Sequence, residues 1–229
     1  MIQHLACVMD GNRRWATQRG LPTLLGHKEG VKAVRAAVQF CIKNGIPHLT
    51  LYTFSLENFK RTEEEKSYMF GLVGEVANSV SDELVKEGVR ICFVGDRALF
   101  PASVRDICTG VERKTASGSK LRVNLLFCYG GRQEILSSVR TLAHQVAAGT
   151  LAPDEITEDL LRNHMWMAGV PDPDLIIRTG AVMRTSNFLM FESAYSEYIF
   201  LDCMWPDMTE ERFAQALVEF NQRQRRFGA

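Results

Sequence analysis

Apolar residues gather along the chain in six short runs: HLACVM (4–9), HLTLYTF (48–54), VRICFV (89–94), LRVNLLF (121–127), DLIIR (174–178) and YIFLDC (198–203). Several are continuous rather than alternating, the pattern of strands covered on both faces. Between them apolar residues recur three and four positions apart, the helical period. Residues 30–44 place Val31, Val34, Val38 and Cys41 on one face and stop at Asn44-Gly45, a helix C-terminal signal. Residues 63–86 repeat Met69, Leu72, Val76, Val80 and Leu84, and residues 132–148 repeat Ile135, Val139, Leu142 and Val146. The last helix starts near Thr209 with Glu210 and Glu211 in its first turn, and buries Phe213, Leu217 and Phe220. It ends in Arg223, Arg225 and Arg226, charges that suit the two ends of the helix dipole. Strand–helix alternation without a linker or repeat predicts a single α/β domain over residues 1–229. Its core is a central, mostly parallel sheet of about six strands flanked by helices.

Composition changes this picture in two ways. The 27 Lys and Arg balance 27 Asp and Glu, which argues against a general nucleic-acid binder and makes any anion site a local concentration of charge. No apolar run approaches the roughly 18 residues of a membrane-spanning helix. Asp10 and Arg13 interrupt the N-terminus before a signal-peptide core could form, so a cytoplasmic location is expected. The six cysteines are scattered without metal-ligand spacing and read as small buried apolar residues; the five histidines do not cluster, and no zinc site is expected.

In a parallel α/β sheet ligands bind beyond the carboxyl ends of the strands, so the residues directly after each run carry the candidate chemistry. After the first run comes Asp10-Gly11-Asn12-Arg13-Arg14-Trp15. After the second comes FSLENFKR, with Ser55, Glu57, Asn58, Lys60 and Arg61; YGGRQE follows the fourth and RTGAVMRTSN the fifth. One end of the sheet thus gathers Asp10 and Asn58 with Arg14, Arg61, Arg178 and Arg184. Arginine forks match phosphate oxygens, and a glycine lets backbone N–H groups approach a ligand. One carboxylate among arginines fits a Mg²⁺ that bridges it to phosphates, because Mg²⁺ usually takes one or two carboxylates plus substrate oxygens. A lone Asp can instead cap a helix and each arginine can make a surface ion pair. Recurrence after separate strands favours the ligand site. No G-x-x-x-x-G-K-[ST] or G-x-G-x-x-G loop follows a strand. Met69, Phe70, Leu72, Val73 and Val76, facing Leu125, Leu126 and Phe127, read as core or as the wall of an apolar tunnel.

These motifs resemble the cis-prenyltransferase family, in particular its bacterial undecaprenyl diphosphate synthase branch. The matching segments are HLACVMDGNRRWA, GHKEG, LTLYTFSLENFKR, VNLLFCYGGRQEI, PDLIIRTG, RTSNFL, AYSEYIF, WPDMTEERF and RQRRFG, in order over nearly the whole chain. The resemblance implies a Mg²⁺-dependent enzyme that adds isopentenyl diphosphate repeatedly, with cis double bonds, to an allylic diphosphate, farnesyl diphosphate. The product it implies is a long-chain polyprenyl diphosphate of undecaprenyl type, a lipid-carrier precursor for cell-wall synthesis. By the same resemblance Asp10 carries Mg²⁺, and Asp10, Asn58 and Arg61 serve catalysis. Gly11, Asn12, Arg13, Arg14, Trp15 and His27 hold the starter diphosphate, with Ser55, Glu57 and Phe59 beside it. Arg178, Arg184 and Ser186 take isopentenyl diphosphate, and Glu197 is a second Mg²⁺ contact. The family is a homodimer whose R-x-F-G tail meets the partner's site. An apolar product further implies transient contact with a membrane surface.

The chain departs from the family pattern at Thr23, where many relatives carry arginine. Ala181 and Val182 replace Gly and Glu in the loop after Arg178, and Phe191 and Glu192 replace Trp and Gln. Two other readings compete with an active prenyltransferase. A non-catalytic subunit of a heteromeric enzyme would lose the acid and the arginines that this chain keeps. A phosphohydrolase of the haloacid-dehalogenase type needs a nucleophilic Asp where Val8 stands.

Overall fold

β1 (His4–Val8) is buried at every position and pairs on both sides, which is why its sequence is apolar without alternation. The computed structural model describes residues 2–223, apart from the side chains at 77–81 and 103. After β1 come α1 (Asn12–Gln18), α2 (Thr23–Lys43), β2 (His48–Ser55), α3 (Glu63–Lys86), β3 (Val89–Val94) and α4 (Ala102–Lys114). Then follow β4 (Leu121–Tyr129), α5 (Gly131–Ala147), α6 (Glu158–Asn163), β5 (Leu175–Arg178), β6 (Glu197–Phe200) and α7 (Glu210–Gln222). Among the described residues the six strands form one sheet in the order β3-β4-β2-β1-β5-β6, with every neighbouring pair parallel.

Alternation along each strand separates two cores. Leu5, Cys7, Leu49, Leu51, Val123, Phe127 and Ile177 face α2, α4 and α7, where Phe40 stacks on Phe213 at 5.6 Å. Ala6, Val8, Leu126 and Ile176 face a smaller core with Met167, Val170, Phe188 and Leu189. β3 is an edge strand, and side chains of α4 and of the residue that caps it cover its outer N–H groups. Thr115 Oγ1 accepts from Ile91 at 3.0 Å and Glu112 Oε1 from Phe93 at 2.7 Å, which blunts a pairing edge. The chain leaves β1 toward β2 on one side, while β4 crosses back to β5 on the other. The carboxyl ends of β1 and β5 therefore bound the crevice in which such sheets bind ligands.

The strands agree with the apolar runs to within a few residues at their ends, and α3 agrees with the expected 63–86. The expected helix at 30–44 starts earlier, at Thr23. α1, α4 and α6 were not anticipated, because α1 and α6 are short and α4 is mostly polar. α5 also turns a different face inward. The expected stripe of Ile135, Val139, Leu142 and Val146 is replaced by Gly131, Glu134, Ser138 and Leu142, with Val139 46% exposed. A buried polar network sets that rotation: Ser138 Oγ donates to the Glu134 and His164 carbonyls, each at 3.0 Å. Cys7, Cys41, Cys108 and Cys128 are buried as expected, whereas Cys92 and Cys203 are half-buried. In α7 Phe213 and Phe220 are buried and Leu217 packs against the same core. The Val80 side chain, Arg225, Arg226 and the R-x-F-G tail lie outside the described residues.

His4 lies inside the sheet with no exposed surface, its ring nitrogens 2.7 Å from Thr50 Oγ1 and 2.7 Å from the Pro171 carbonyl. Burial lowers its pKa to about 4 from 6.5. Between these values the unfolded chain binds a proton that the folded one does not, so stability falls as the pH drops from 6.5 toward 4, by about 3 kcal/mol in all. Urea denaturation at several pH values should show this slope, reduced by one proton in His4→Gln. An unchanged slope in that variant would assign the acid sensitivity elsewhere.

Candidate active site

Asp10 stands two residues beyond β1, and its backbone is fixed before its carboxylate is used. The Asp10 carbonyl accepts from the Trp205 N–H at 3.0 Å and from the Thr179 hydroxyl at 2.7 Å. Gly11 then turns the chain with φ of 105°, a conformation L side chains rarely adopt; a Cβ there would lie 2.6 Å from Met204 Sδ. The Asp10 carboxylate takes Arg178 Nη2 at 2.9 Å and Arg14 Nη2 at 3.3 Å. Arg178, with its side chain only 4% exposed, is the junction of the site. Its Nη1 donates to the Arg184 carbonyl at 2.6 Å and to Ser186 Oγ at 2.7 Å, while Arg184 Nε donates to the same hydroxyl at 3.2 Å.

The segment after β5 is held in an unusual shape. Ala181, Ser186, Asn187 and Leu189 all have positive φ, between 41° and 64°, which costs energy in non-glycine residues. Asn187 ties this segment to α5 and to the turn after β2. Its carbonyl accepts from the Gly131 N–H at 2.8 Å and its Oδ1 from the Arg132 N–H at 2.9 Å. Its Nδ2 donates to Glu57 Oε1 at 2.9 Å and Gln133 Oε1 at 3.0 Å.

Asp10 opens onto a cavity of about 580 Å³. Gly11, Asn12, Arg13, Arg14, Thr23, His27, Asn58 and Arg61 line its polar end. Met69, Leu72, Val73, Val76 and Leu84 of α3, with Ile91, Phe93, Val123 and Leu125 of the sheet, line the rest. Along α3 the stretch from Met69 to Leu84 spans about 22 Å at 1.5 Å per residue. Burial, then the Arg61 and Arg13 charges, lowers the His27 pKa to about 4, so His27 is neutral at pH 7 beside the cations. Asn58 Oδ1 accepts from the Ser55 N–H at 3.0 Å, and Arg13 Nε reaches Glu65 at 3.3 Å. α1 lies so close to α2 that a Cβ at Gly26 would sit 1.9 Å from the Asn12 carbonyl oxygen, and one at Gly30 2.4 Å from Asn12 Oδ1.

Most of the residues expected at the site therefore meet around Asp10, directly or through Arg178. Five are placed differently. Ser55 supports Asn58 through its backbone N–H and does not line the cavity. Trp15 Nε1 donates to Asp207 Oδ1 at 2.7 Å and its ring lies under Arg19, so it braces α1 and does not line the cavity. Phe59 packs against Phe54 at 5.2 Å and joins the core. Glu57 acts on Asn187 rather than facing the cavity. Glu197 begins β6, in register with Leu175, and accepts from Arg223 Nη1 at 2.8 Å. That is the amino end of the sheet, about 10 Å along the strand from Arg178 and two strands over from β1. Within one chain Glu197 cannot share a metal with Asp10. Thr179 and Trp205, which fix the Asp10 backbone, were missed; each follows an apolar run closely, the only signal that could have marked them.

Asp10 is the one carboxylate lining the cavity among the described residues, and no group of three or more His, Cys, Asp or Glu there could hold a metal unaided. Such a donor set fits a Mg²⁺ that takes most of its oxygens from a substrate and water, and does not fit an all-protein cage.

The family model described as "Putative undecaprenyl diphosphate synthase" matches residues 8–228. The chain is 42% identical to a ditrans,polycis-undecaprenyl-diphosphate synthase, (2E,6E)-farnesyl-diphosphate specific, of Xanthomonas axonopodis pv. citri, over 99% of this chain and 88% of that protein. It is 43% identical to an isoprenyl transferase of Agrobacterium fabrum, over 99% of this chain and 92% of that one. Among solved structures, lavandulyl diphosphate synthase from Lavandula x intermedia in complex with dimethylallyl diphosphate superposes with a TM-score of 0.97 at 29% identity. The match covers 100% of this chain and 98% of that one. A "probable undecaprenyl diphosphate synthase" from Campylobacter jejuni superposes with a TM-score of 0.82 at 30% identity, over 100% and 99% of the two chains.

The close approach of α1 to α2 gives a paired test. Gly26→Ala should destabilise the fold by about 1–3 kcal/mol, because the Asn12 carbonyl has to move. Gly71→Ala, on α3 with nothing within 4 Å of the added methyl, should stabilise it by about 0.5–1 kcal/mol. Thermal denaturation of both variants checks the signs; equal shifts would refute the contact.

Proposed function

The chain belongs to the undecaprenyl diphosphate synthase family of prenyltransferases, and we propose that it performs its prenyl transfer in the cavity that opens at Asp10. The observation that carries this reading is the junction of a cationic mouth with an apolar interior in one cavity. An allylic diphosphate offers the same two chemistries in one molecule. Arg13, Arg14, Arg61 and neutral His27 would hold the starter diphosphate, with farnesyl diphosphate as the starter, and the tail would lie along α3. Arg178, Arg184 and Ser186 would hold the diphosphate of isopentenyl diphosphate on the other side of Asp10.

In the reaction the allylic C–O bond breaks and its electron pair leaves with the diphosphate. The isopentenyl double bond then attacks the allylic carbon, and a proton departs from the added unit. Positioned cations lower the barrier by stabilising the charge that develops on the departing diphosphate. Asp10 would carry Mg²⁺, which supplies further neutralisation of that charge when bound. Asn58, fixed by the Ser55 N–H, would orient the reacting groups. The apolar side chains of the remaining wall would exclude water.

Each cycle adds five carbons, worth about 4 kcal/mol of burial at about 0.8 kcal/mol per carbon. The interior would thus act as a tunnel that draws the growing chain inward. We take the product to be a long polyprenyl diphosphate of undecaprenyl type, released by a cytoplasmic enzyme at a membrane surface. No helix among the described residues is long and apolar enough to cross a membrane. A homodimer would cover exposed apolar residues between β5 and β6, such as Met183 at 81% and Tyr195 at 66% exposure.

Incubation with farnesyl diphosphate and labelled isopentenyl diphosphate should give incorporation that excess chelator abolishes. Asp10→Ala should lower turnover at least a hundredfold while starter binding, measured by calorimetry, remains. Near-normal turnover in that variant would contradict the Mg²⁺ role of Asp10. Thr23 lines the mouth where many relatives carry arginine, so Thr23→Arg should lower the KM for the starter about tenfold, from one added charge-assisted contact. An unchanged KM would place the diphosphate away from the start of α2.

A further inference from the structure

On the opposite face of the sheet from the cavity, two acids are buried together. Glu134 of α5 has no exposed surface and Glu192, in the turn before β6, is 3% exposed. Glu134 is well supplied with donors: Tyr129 Oη–H bonds to its Oε2 and the Met167 N–H to its Oε1 at 2.8 Å. Glu192 is not: neither carboxyl oxygen makes a well-formed hydrogen bond, and the donor nearest to it is its own backbone N–H. The group beside it is the Glu134 carboxyl, another acceptor. Two carboxylates cannot bond, whereas a carboxylic acid can donate to a carboxylate that still has free lone pairs.

The other charged and titratable groups around the pair do not relieve it. Tyr129 donates its one hydrogen bond to Glu134, and Tyr52 packs edge-on against Tyr129 at 5.9 Å. Arg162 attracts Glu192, but it is engaged by Asp172, with Nη1 to Oδ2 at 3.2 Å, and the repulsion from Asp172 outweighs it. Burial and then the Glu134 charge push the Glu192 pKa up to about 8, and burial also raises that of Glu134. An ionised Glu192 would stand desolvated and unpartnered, which is costly.

We propose that Glu192 and Glu134 share one proton, and that this acid–carboxylate hydrogen bond latches the segment between β5 and β6 onto α5. The segment needs a latch, because it holds four residues at positive φ between Ala181 and Leu189. It also carries Arg184 and Ser186, so Glu192 is a positioning residue for them; this last step rests on the reading that they hold isopentenyl diphosphate. Loss of the shared proton sets two carboxylates against each other and frees the segment.

The sign follows from linkage. The folded state keeps a proton that the released segment gives up above pH 4.5, so the latch weakens as pH rises from 4.5 and is lost once pH passes about 8. Hydrogen exchange of the amides in residues 184–193, corrected for the pH dependence of free peptides, reads this without any turnover. Protection in the unmodified protein should fall by up to about tenfold for each pH unit between 4.5 and about 8, level off above 8, and stay level throughout in Glu192→Gln, whose amide donates to Glu134 at every pH. Difference infrared spectra should show a protonated-carboxyl band at pH 7 that is absent from E192Q. Equal protection in the two proteins at both ends of the range, or no such band, overturns the latch. The kcat/KM for isopentenyl diphosphate should lose its alkaline fall in E192Q, and identical alkaline limbs would overturn the positioning role. Should protection and infrared behave as stated while neither protein incorporates isopentenyl units, the latch stands and the assigned reaction fails.

Discussion

The ion pair between Asp10 and the buried Arg178 is the contact on which the site depends. It joins the carboxyl ends of β1 and β5, the two strands on either side of the point where the chain changes direction across the sheet. Because Arg178 is almost wholly desolvated, its charge has to be answered, and Asp10, the Arg184 carbonyl and Ser186 Oγ answer it. Removing one partner of a buried pair costs far more than the pair itself is worth, so the carboxylate and the 184–186 loop are held in one geometry. The same residue therefore aligns the Asp10 carboxylate with Arg184 and Ser186. Electrostatic organisation here is a property of the fold before any substrate arrives.

The second constraint is the division of the two sheet faces. One face carries the large apolar core, and between α2, α3 and the sheet it leaves a cavity instead of closing completely. The other face is smaller and contains buried polar groups: His4 with Thr50 and Asn124 near one end, and Tyr129, Glu134 and Glu192 near the other. A cavity in the apolar face forfeits packing and is retained where an apolar ligand fills it. The polar face fixes where α5 and the loop after β5 lie, and through Asn187 and Arg178 it reaches the mouth of that cavity.

Much of this was legible in the sequence because parallel strands covered on both faces read as plain apolar runs. The residues directly after those runs include Asp10, Asn58, Arg61, Arg178 and Arg184, which the fold gathers at one end of the sheet. What stayed hidden followed from three-dimensional choices that periodicity does not encode. The inward face of α5 was misread because hydrogen bonds to Glu134 and Ser138, rather than apolar area, set its rotation. Glu197 was grouped with Asp10 through resemblance alone, and strand register places the two at opposite ends of the sheet. Trp15 sits in the same short run as Arg13 and Arg14, yet the turn of α1 carries its ring to Asp207 and Arg19. Glu192 could be seen as a departure from the family pattern, but not as one half of a buried acid pair.

The cavity makes the most direct claim, that a diphosphate sits at Asp10 while its hydrocarbon tail lies along α3. A crystal structure with Mg²⁺ and an allylic thiolodiphosphate, whose sulfur in place of the bridging oxygen slows ionisation, tests this in one measurement. The predicted result is diphosphate density touching Asp10, Arg14 and Arg61, with the tail passing Met69, Leu72 and Val76 toward Leu84. A tail lying outside this cavity, or a diphosphate bound at a cation cluster remote from Asp10, would contradict it.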